Sequence, residues 1–200
     1  MTARTPGPVT LSGHHVRLEP LAQGHLPDLF AAGGRDEEVW RHLTAPTPRT
    51  EQEFAAVLGA RIAQSAAGER VAFAVVDLGS GRAIGTTNLH DWSERDECVE
   101  IGGTWYGRAY WRTAVNTESK LLLLTHAFEE LGMGRVVWQT DIRNTRSQEA
   151  VLRLGAQREG VTRRAKRRAD GTWRDSVRFS MAGYEWPEAK ARLTDRLAKG

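Results

Sequence analysis

Two segments of the sequence place backbone N–H groups where a phosphate could bind. In each, a predicted strand runs through a short loop into a predicted helix: residues 98–105 lead to a helix over 117–131, and residues 135–142 lead to one over 145–154. The first N–H groups of a helix have no partner within it, and the helix dipole adds positive potential there. A phosphate or pyrophosphate is a suitable ligand for such an end, although every α/β protein has corners of this kind.

The second corner carries a polar side chain of its own. Asn144 lies at the boundary between loop and helix, where it can cap the helix or donate its side-chain amide to a ligand. A plain cap is the simpler interpretation from the residues alone. If the two strands are neighbours, the two corners line one cleft at the strand ends.

The rest of the chain predicts the elements that hold these corners in place. Alternating and β-branched runs predict strands, and periodic apolar runs between Gly, Pro and capping residues predict helices. Besides the elements above, we expect strands at 15–19, 71–77 and 82–90, a hairpin of 156–164 and 172–181, and helices at 26–32, 37–43, 50–66 and 187–197. Thr50 and Glu53 form a capping-box pattern.

These elements predict a single mixed α+β domain over residues 1–200. Residues 1–10 are expected to form a loose leader, because 5–8 carry turn chemistry and little to bury. No repeat, long linker or low-complexity tract divides the chain.

Composition limits the class of protein. Hydrophobic residues make up 40% and charged residues 26%, which is typical of a globular protein. No apolar run approaches the roughly 18 residues of a membrane span, and no secretory signal is visible, so the expected location is the cytoplasm. Cys98 is the one cysteine, and His14 and His15 are adjacent rather than at ligand spacing, so we expect neither disulfide nor metal site.

Several motifs, taken in order, resemble the core of the GNAT acyltransferase superfamily. They are Glu100-Ile101-Gly102, Tyr110 to Glu118, His126 to Gly132, Asn144 to Gln148 and Leu154-Gly155-Ala156. Their order and spacing, together with His15 to Leu21, are similar to the Rim group of ribosomal-protein N-terminal acetyltransferases. The resemblance covers residues 12–182.

This resemblance implies a GNAT fold, a mixed, splayed sheet of about seven strands flanked by helices. Acetyl-CoA would lie as co-substrate between the strands near 98–105 and 135–142, with its pyrophosphate on the loop before the long helix and no metal required. The implied cofactor-binding residues are Trp105, Arg112, Thr113, Ala114, Val115, Asn116, Thr117 and Asn144. The amine would attack the thioester directly, without a covalent enzyme intermediate.

The cofactor loop departs from the pattern usual in this family. Trp111, Ala114 and Asn116 hold the places of the Gln/Arg, Gly and Gly/Ala of that loop. Backbone donors do not depend on these side chains, Ala114 still permits close approach, and Asn tolerates left-handed φ. We therefore expect the loop to bind.

Two further departures concern the chemistry. Val151 stands where many relatives have a tyrosine acid, and Ser147 is the nearest hydroxyl candidate. The segment from Glu100 to Trp105 is one residue longer than the usual spacing. Glu100 therefore faces the cleft only if a bulge absorbs the extra residue.

The expected reaction needs a group that takes a proton, because a protonated amine is not a nucleophile. Glu100 is the predicted base and Ser147 the predicted second catalytic residue, with His90 and Asp91 as reserves for the base. Backbone would supply the oxyanion donor. Glu100 paired with an arginine or facing solvent is the alternative, and Cys98 is expected to be a small buried residue rather than a nucleophile.

The acceptor is less defined than the donor. Residues 158–178 hold eight Arg or Lys against three acids, which favours an acidic acceptor, unless the segment is only a solvated hairpin. Alternation along a regular strand would place Arg164, Lys166 and Arg168 on one face and Arg163 and Arg167 on the other. A protein N-terminus is preferred, because an α-amino group titrates near ~8 and a lysine near ~10.4. A small amine is the alternative. Nucleic-acid binding without chemistry is less favoured, since Trp173 is the single aromatic residue among these cations, and a homodimer is left open.

Overall fold

The computed structural model describes residues 2–199, in which an eight-stranded sheet forms the centre of the fold. Its strands are β1 (Leu11–Ser12), β2 (Val16–Pro20), β3 (Arg70–Asp77), β4 (Ala83–Ser93), β5 (Cys98–Tyr106), β6 (Arg135–Asp141), β7 (Gln157–Arg167) and β8 (Trp173–Ala182). The spatial order is β1-β2-β3-β4-β5-β6-β8-β7. Only β5 and β6 pair in parallel in this sheet.

Six α-helices flank the sheet in the described residues. They are α1 (Leu26–Leu29), α2 (Glu37–Trp40), α3 (Glu51–Ala66), α4 (Ala114–Thr125), α5 (Thr145–Leu154) and α6 (Trp186–Ala198). A π-helical turn over His126–Glu130 extends α4 towards Gly132. Within residues 2–199, none of the helices is long and apolar enough to cross a membrane.

Two apolar clusters cover opposite faces of the sheet. Along β3, Phe73 and Val75 join the cluster that includes α4, α5 and α6, whereas Ala72 and Ala74 join the cluster with α1, α2 and α3. This is the alternation that a strand buried on both faces requires. The predicted mixed α+β architecture is therefore confirmed, with one more strand than expected because the two-residue β1 pairs with β2.

Two predicted N-termini differ in detail from the structure. Thr50 caps α3 by accepting a hydrogen bond from the Glu53 N–H at 3.1 Å, but the Glu53 carboxylate accepts from the Arg49 N–H rather than from that of Thr50. Helix α4 begins at Ala114 rather than at 117, because Thr113 is already a competent cap.

The leader is not loose over its described part. Ala3 is buried, and the Arg4 N–H donates to the Leu131 carbonyl at 2.9 Å, which ties the segment to the end of the long helix. The prediction failed because these partners lie more than a hundred positions away in sequence. Met1, part of the same prediction, lies outside the described residues.

The parallel pair β5–β6 is short and opens into a fork. The two strands pair at Cys98 with Arg135, Val99 with Val136 and Glu100 with Val137, and no further. Beyond Glu100, β5 continues alongside β4, while β6 continues alongside β8. The strands therefore diverge towards the two corners that precede α4 and α5.

Candidate active site

Glu100 lies at the base of the fork. Its neighbours Val99 and Ile101 belong to the α4–α6 cluster, so its side chain projects from the opposite face of the sheet. The residue is 6% exposed, and its Oε2 accepts a hydrogen bond from Gln139 Nε2 on β6 at 2.8 Å. Among the described residues, neither predicted alternative for this carboxylate, an arginine pair or a solvent-facing position, occurs.

A bulge in β5 lies directly above Glu100, where the extra residue was expected. Asn88 pairs with Gly102 and Thr86 with Trp105, so β5 has one residue more than β4 between these pairs. Gly103 adopts φ +57°, and a Cβ there would overlap with Asn88 Nδ2. A bulge takes one residue out of the ladder and leaves its backbone groups available.

The first predicted strand–loop–helix corner lies at the N-terminus of α4. The Thr113 side chain caps the helix by accepting from the Val115 N–H at 3.4 Å, and its hydroxyl donates to the Tyr110 carbonyl at 2.8 Å. Arg112 is exposed and is the residue with left-handed φ, at +61°. Asn116 lies within the helix instead, so the left-handed role foreseen for it is wrong.

The remaining loop residues divide between the core and the cofactor side. Val115 and Thr117 are buried, and Val115 belongs to the core cluster. Ala114 and Asn116 are half-buried on the first turn. Any anion bound here would therefore contact backbone N–H groups more than side chains.

At the second corner, Asn144 acts as the predicted helix cap. Its Oδ1 caps α5 by accepting from the Ser147 N–H at 3.1 Å, so the interpretation as a cap is confirmed for the oxygen. The amide Nδ2 donates to no protein acceptor within residues 2–199 and remains available for a ligand. Ser147 is half-buried on the first turn, and Val151 is buried in the core.

Trp111 and Arg146 join the two walls of the fork at its open end. Trp111 follows β5, and its Nε1 donates to the Tyr106 carbonyl at 2.9 Å. Arg146, on α5, lies with its guanidinium carbon 3.5 Å from the centre of a Trp111 ring. Trp111 lies in the predicted cofactor loop, whereas no role was predicted for Arg146, because the contact is made between elements that are distant in sequence.

Trp105 lies away from the other predicted cofactor-binding residues. Trp105 is 4% exposed and packs on the α1–α3 side of the sheet. Its ring centre lies 6.0 Å from that of Trp40 and 6.3 Å from that of Phe54. The direction follows from the bulge, which resets the alternation of β5 before Trp105. Its predicted role has the least support among these residues.

Lys120 is an unexpected polar group beneath the site. It is 4% exposed on α4, and its Nζ donates to Thr87 Oγ1 at 3.0 Å and to Thr104 Oγ1 at 2.7 Å. Burial lowers the pKa of Lys120 from 10.5 to about 7. The sequence signal for a buried charged group was the position of this lysine next to a run of four leucines.

Another missed residue, Glu118, fixes α4 to the start of the sheet. Its carboxylate accepts hydrogen bonds from the backbone N–H groups of His14, His15 and Val16 at 2.8, 2.6 and 2.7 Å. Such bonds to an ionised acceptor are among the stronger ones in proteins. The turn at 13–16 therefore positions the helix against the start of the sheet.

Cys98 on β5 is half-buried rather than fully buried as expected. Burial raises the pKa of the Cys98 thiol, with the cations of Arg135 and Arg178 acting in the opposite direction. A raised pKa leaves the thiol protonated at neutral pH and weakens it as a nucleophile.

The basic hairpin β7–β8 does not follow the simple alternation expected for it. Thr162 pairs with Ser176 and Lys166 with Arg174, so β7 has two extra residues between these pairs, and Arg164 adopts φ +51°. Arg164 and Arg167 consequently lie over the same Trp173, at 4.5 and 4.1 Å from its ring centre. The predicted division of the hairpin cations between two faces is wrong.

Arg168 is not available to a substrate. It binds the buried carboxylate of Asp141 through Nε at 2.6 Å and Nη2 at 2.9 Å. Burial alone would raise the pKa of Asp141, but Arg168 and the Arg143 N–H hold that pKa below its usual value. The pair fixes the hairpin to the end of β6.

A cavity of about 240 Å³ lies beside the second corner. Its lining comes from α2 and the residues that follow it, and from the loop before α5 and the first turn of that helix: Glu38, Arg41, His42, Arg143, Asn144, Thr145 and Arg146. Burial lowers the pKa of His42, with Asp141 opposing the shift. A larger open depression of about 560 Å³, lined by residues 30–36 and Arg108, lies elsewhere and does not include Glu100.

The fork, the bulge and the two helix N-termini identify the class of protein. Residues 15–157 match the family model for an acetyltransferase (GNAT) domain, so the chain belongs to the GNAT acetyltransferase family. The predicted superfamily is confirmed, and the protein is an acetyl-CoA-dependent N-acetyltransferase.

Individual relatives support the same assignment. The chain is 39% identical to a putative acetyltransferase from T. thermophilus, with a TM-score of 0.87 over 96% of this chain and 98% of that one. It is 30% identical to a GCN5-related N-acetyltransferase from Brucella melitensis, with a TM-score of 0.91 over 98% and 88% of the two chains. It is 29% identical over 113 residues to "Putative ribosomal N-acetyltransferase YdaF" of Bacillus subtilis (strain 168), a match that spans 56% of this chain and 61% of YdaF.

Proposed function

We propose that the protein acetylates a protein N-terminal amine, with Glu100 as the base. The observation that carries this proposal is the position of Glu100, which is buried at the base of the fork and fixed by Gln139 from the opposite wall. A carboxylate at this point lies below the space that opens between β5 and β6.

The protein offers hydrogen-bond donors for each part of acetyl-CoA. Pyrophosphate binds the first turn of α4, where Arg112, Thr113, Ala114 and Asn116 surround backbone N–H groups. The pantetheine arm extends along the fork, where the Asn144 amide donates to it. The bulge at Gly103 supplies the backbone donor for the thioester carbonyl and for the oxyanion that forms there.

The reaction proceeds by direct attack of the neutral amine on the thioester carbon. Glu100 takes the proton of the attacking amine, directly or through a water molecule. Coenzyme A leaves as the thiolate, which takes a proton from the hydroxyl of Ser147 on the first turn of α5, and water returns a proton to that hydroxyl. No metal takes part in these steps.

The acceptor is a protein N-terminus for two reasons. An α-amino group loses its proton near pH ~8, so much more of it is nucleophilic at neutral pH than of a lysine. The similarity to YdaF, described as a ribosomal N-acetyltransferase, supports the same substrate class. An acidic segment after that amine would meet the exposed hairpin cations Arg163 and Lys166.

A turnover assay tests this proposal. We expect release of free coenzyme A from acetyl-CoA with peptides that have a free N-terminus, and none with the same peptides blocked at that end. Each peptide is compared with a polyamine, an amino acid and an aminoglycoside at equal concentration. Higher kcat/KM for a small amine than for every free-terminus peptide would replace the protein substrate with a small molecule.

A further inference from the structure

Glu100 has a second neighbour, an imidazole on the adjacent strand. His90 on β4 is paired with Glu100 in the sheet register, and its Nε2 lies 3.8 Å from Glu100 Oε1. The other ring nitrogen, Nδ1, lies 3.0 Å from Oδ2 of Asp91. The exposed fraction of the side chain rises along this series, from 7% for Glu100 to 13% for His90 and 70% for Asp91.

Two backbone features create this arrangement. Gly102 lies against the His90 ring, and a Cβ at that position would overlap with His90 Nε2, so only glycine leaves room for the imidazole. Asp91 adopts φ +50° where the register of β4 shifts after His90, which brings its carboxylate beside the ring rather than to the other face. Left-handed φ at a residue other than glycine is uncommon and is more often found at functional sites.

A buried base must release its proton before the next turnover. Glu100 is almost inaccessible to solvent, and its Oε2 is occupied by the Gln139 amide, which cannot accept a proton. The remaining oxygen, Oε1, is the one that faces His90. An imidazole can accept a proton on one nitrogen while it gives up another from the opposite nitrogen.

We propose that His90 and Asp91 carry the proton from Glu100 to solvent. The inference rests on the proposed function, since it assumes that Glu100 takes the proton of the amine. The O–H bond of protonated Glu100 breaks as an N–H bond forms at His90 Nε2, and the proton on Nδ1 passes to Asp91 and then to water. One proton leaves for each amide formed and the carboxylate is restored, while proton exchange with water returns the imidazole from its Nε2–H form to its Nδ1–H form.

The distance of 3.8 Å is longer than a hydrogen bond, so the transfer requires the two side chains to approach by about 1 Å. Catalytic hydrogen bonds are often long in the absence of substrate and shorten in the reacting complex. His90 is therefore a relay residue that acts through Glu100 and does not touch the amine.

Chemical rescue tests the relay. His90→Ala should lower kcat by roughly 10-fold or more without changing the KM for acetyl-CoA, and added imidazole should restore turnover in a saturable way. His90→Gln should show the same loss without rescue, because its side chain fills the space that imidazole would enter. Gly102→Ala, which displaces the ring, should behave like His90→Gln.

A second histidine provides the matched control. His25 also lies beside a carboxylate, with Nε2 3.1 Å from Glu19 Oε2 and a side chain 17% exposed, but it lies on another part of the fold. His25→Ala should retain wild-type kcat with and without imidazole. Thermal unfolding of each variant shows whether it is folded.

Several outcomes would overturn the relay. One is unchanged kcat in His90→Ala, and another is a loss in the folded variant that imidazole does not restore. His90, Asp91 and Glu100 also bring one ligand atom each within 4.8 Å of one another, so activity lost to a chelator and restored by Zn²⁺ would assign them to a metal and not to a relay. If the wild-type protein itself shows no turnover with any amine, the proposed function fails rather than the relay alone.

Discussion

The amide of Gln139 crosses the fork between β5 and β6 to donate a hydrogen bond to Oε2 of Glu100 at 2.8 Å. On β6, Gln139 lies two residues beyond Val137, which is the partner of Glu100 in the last backbone pair of the two strands. The hydrogen bond also fixes the orientation of the carboxylate, because one oxygen is held on the wall of the fork while the other is directed towards β4. This pair is the basis of the first prediction.

Replacing the proposed base should remove turnover and leave cofactor binding intact. Glu100→Gln is expected to lower kcat roughly 10²- to 10⁴-fold, because a neutral amide cannot take the proton of the amine. Gln139 can still donate to the new side-chain oxygen, so the fork should keep its shape. Glu97→Gln, at an exposed position three residues earlier, is the control. Near-normal rates for Glu100→Gln between pH 6 and 9 would assign the base to water, His90 or Asp91.

The cofactor site can be tested at the first turn of α4. Ala114→Asp should weaken acetyl-CoA binding by about 10-fold or more, because a carboxylate would face the pyrophosphate. An acid at a helix N-terminus is favourable in itself, so the variant should fold. Calorimetry with Ala114→Asn as the neutral control gives the comparison. Equal affinity of the Asp variant and the wild type would exclude this turn as the pyrophosphate site.

The buried Lys120 should make stability depend on pH. Its folded pKa is about 7 and its ordinary value 10.5, so between these pH values the unfolded chain binds more protons than the folded protein. The wild type therefore loses stability as the pH falls from about 10.5 to about 7, by about 1.4 kcal/mol for each unit of pKa shift, and the loss stays constant below that range.

Lys120→Met should not show this loss. Its free energy of unfolding is expected to exceed that of the wild type at pH 7, with a difference that narrows as the pH approaches 10.5. Urea denaturation at several pH values measures the difference, and Lys166→Met, at an exposed position, is the control. A constant difference between Lys120→Met and wild type across this range would mean that Lys120 stays charged in the folded protein.

The hairpin should influence the choice of acceptor through its exposed cations only. Because Arg168 is bound to Asp141 and Arg164 lies over Trp173, the test uses Arg163→Ser together with Lys166→Ser. At low salt we expect kcat/KM to fall several-fold for a peptide with acids after its N-terminus and to change little for a neutral peptide. The effect should fade as salt is added.

The control for the hairpin removes the same charge elsewhere. Arg95→Ser together with Arg196→Ser changes two exposed cations outside the hairpin. If both double variants affect the acidic peptide equally, the whole charge of the protein steers the acceptor. No effect from either would leave the hairpin as a solvated surface.

Sequence reasoning predicted the features whose signals are local. The strand–loop–helix corners, the Thr50 and Asn144 caps, and the extra residue that forms the β5 bulge all depend on neighbours within a few positions. The direction of Glu100 depends in turn on that bulge, so it could be stated only as a condition.

Contacts between distant segments had no comparable signal. The amide that holds Glu100 is 39 positions away, and the carboxylate that binds the turn at 13–16 is more than 100 positions away. In the hairpin, two extra residues between Thr162 and Lys166 shift the alternation that was counted along an ideal strand. Nothing in the local sequence distinguishes such a bulge from a regular strand with the same residues.

The three backbone hydrogen bonds to Glu118 have a consequence for the edge of the sheet. Strand β1 is only two residues long, and a short edge strand is usually among the first parts of a protein to exchange its amide hydrogens with solvent. The amides of His14, His15 and Val16 cannot open without breaking their bonds to α4, so their exchange should be as slow as that of the helix. If acetyl-CoA binds at the proposed site on the first turn of α4, exchange at these three amides should slow further, although they lie outside that site. The N-terminal edge of the sheet would then report cofactor occupancy from the other side of the helix.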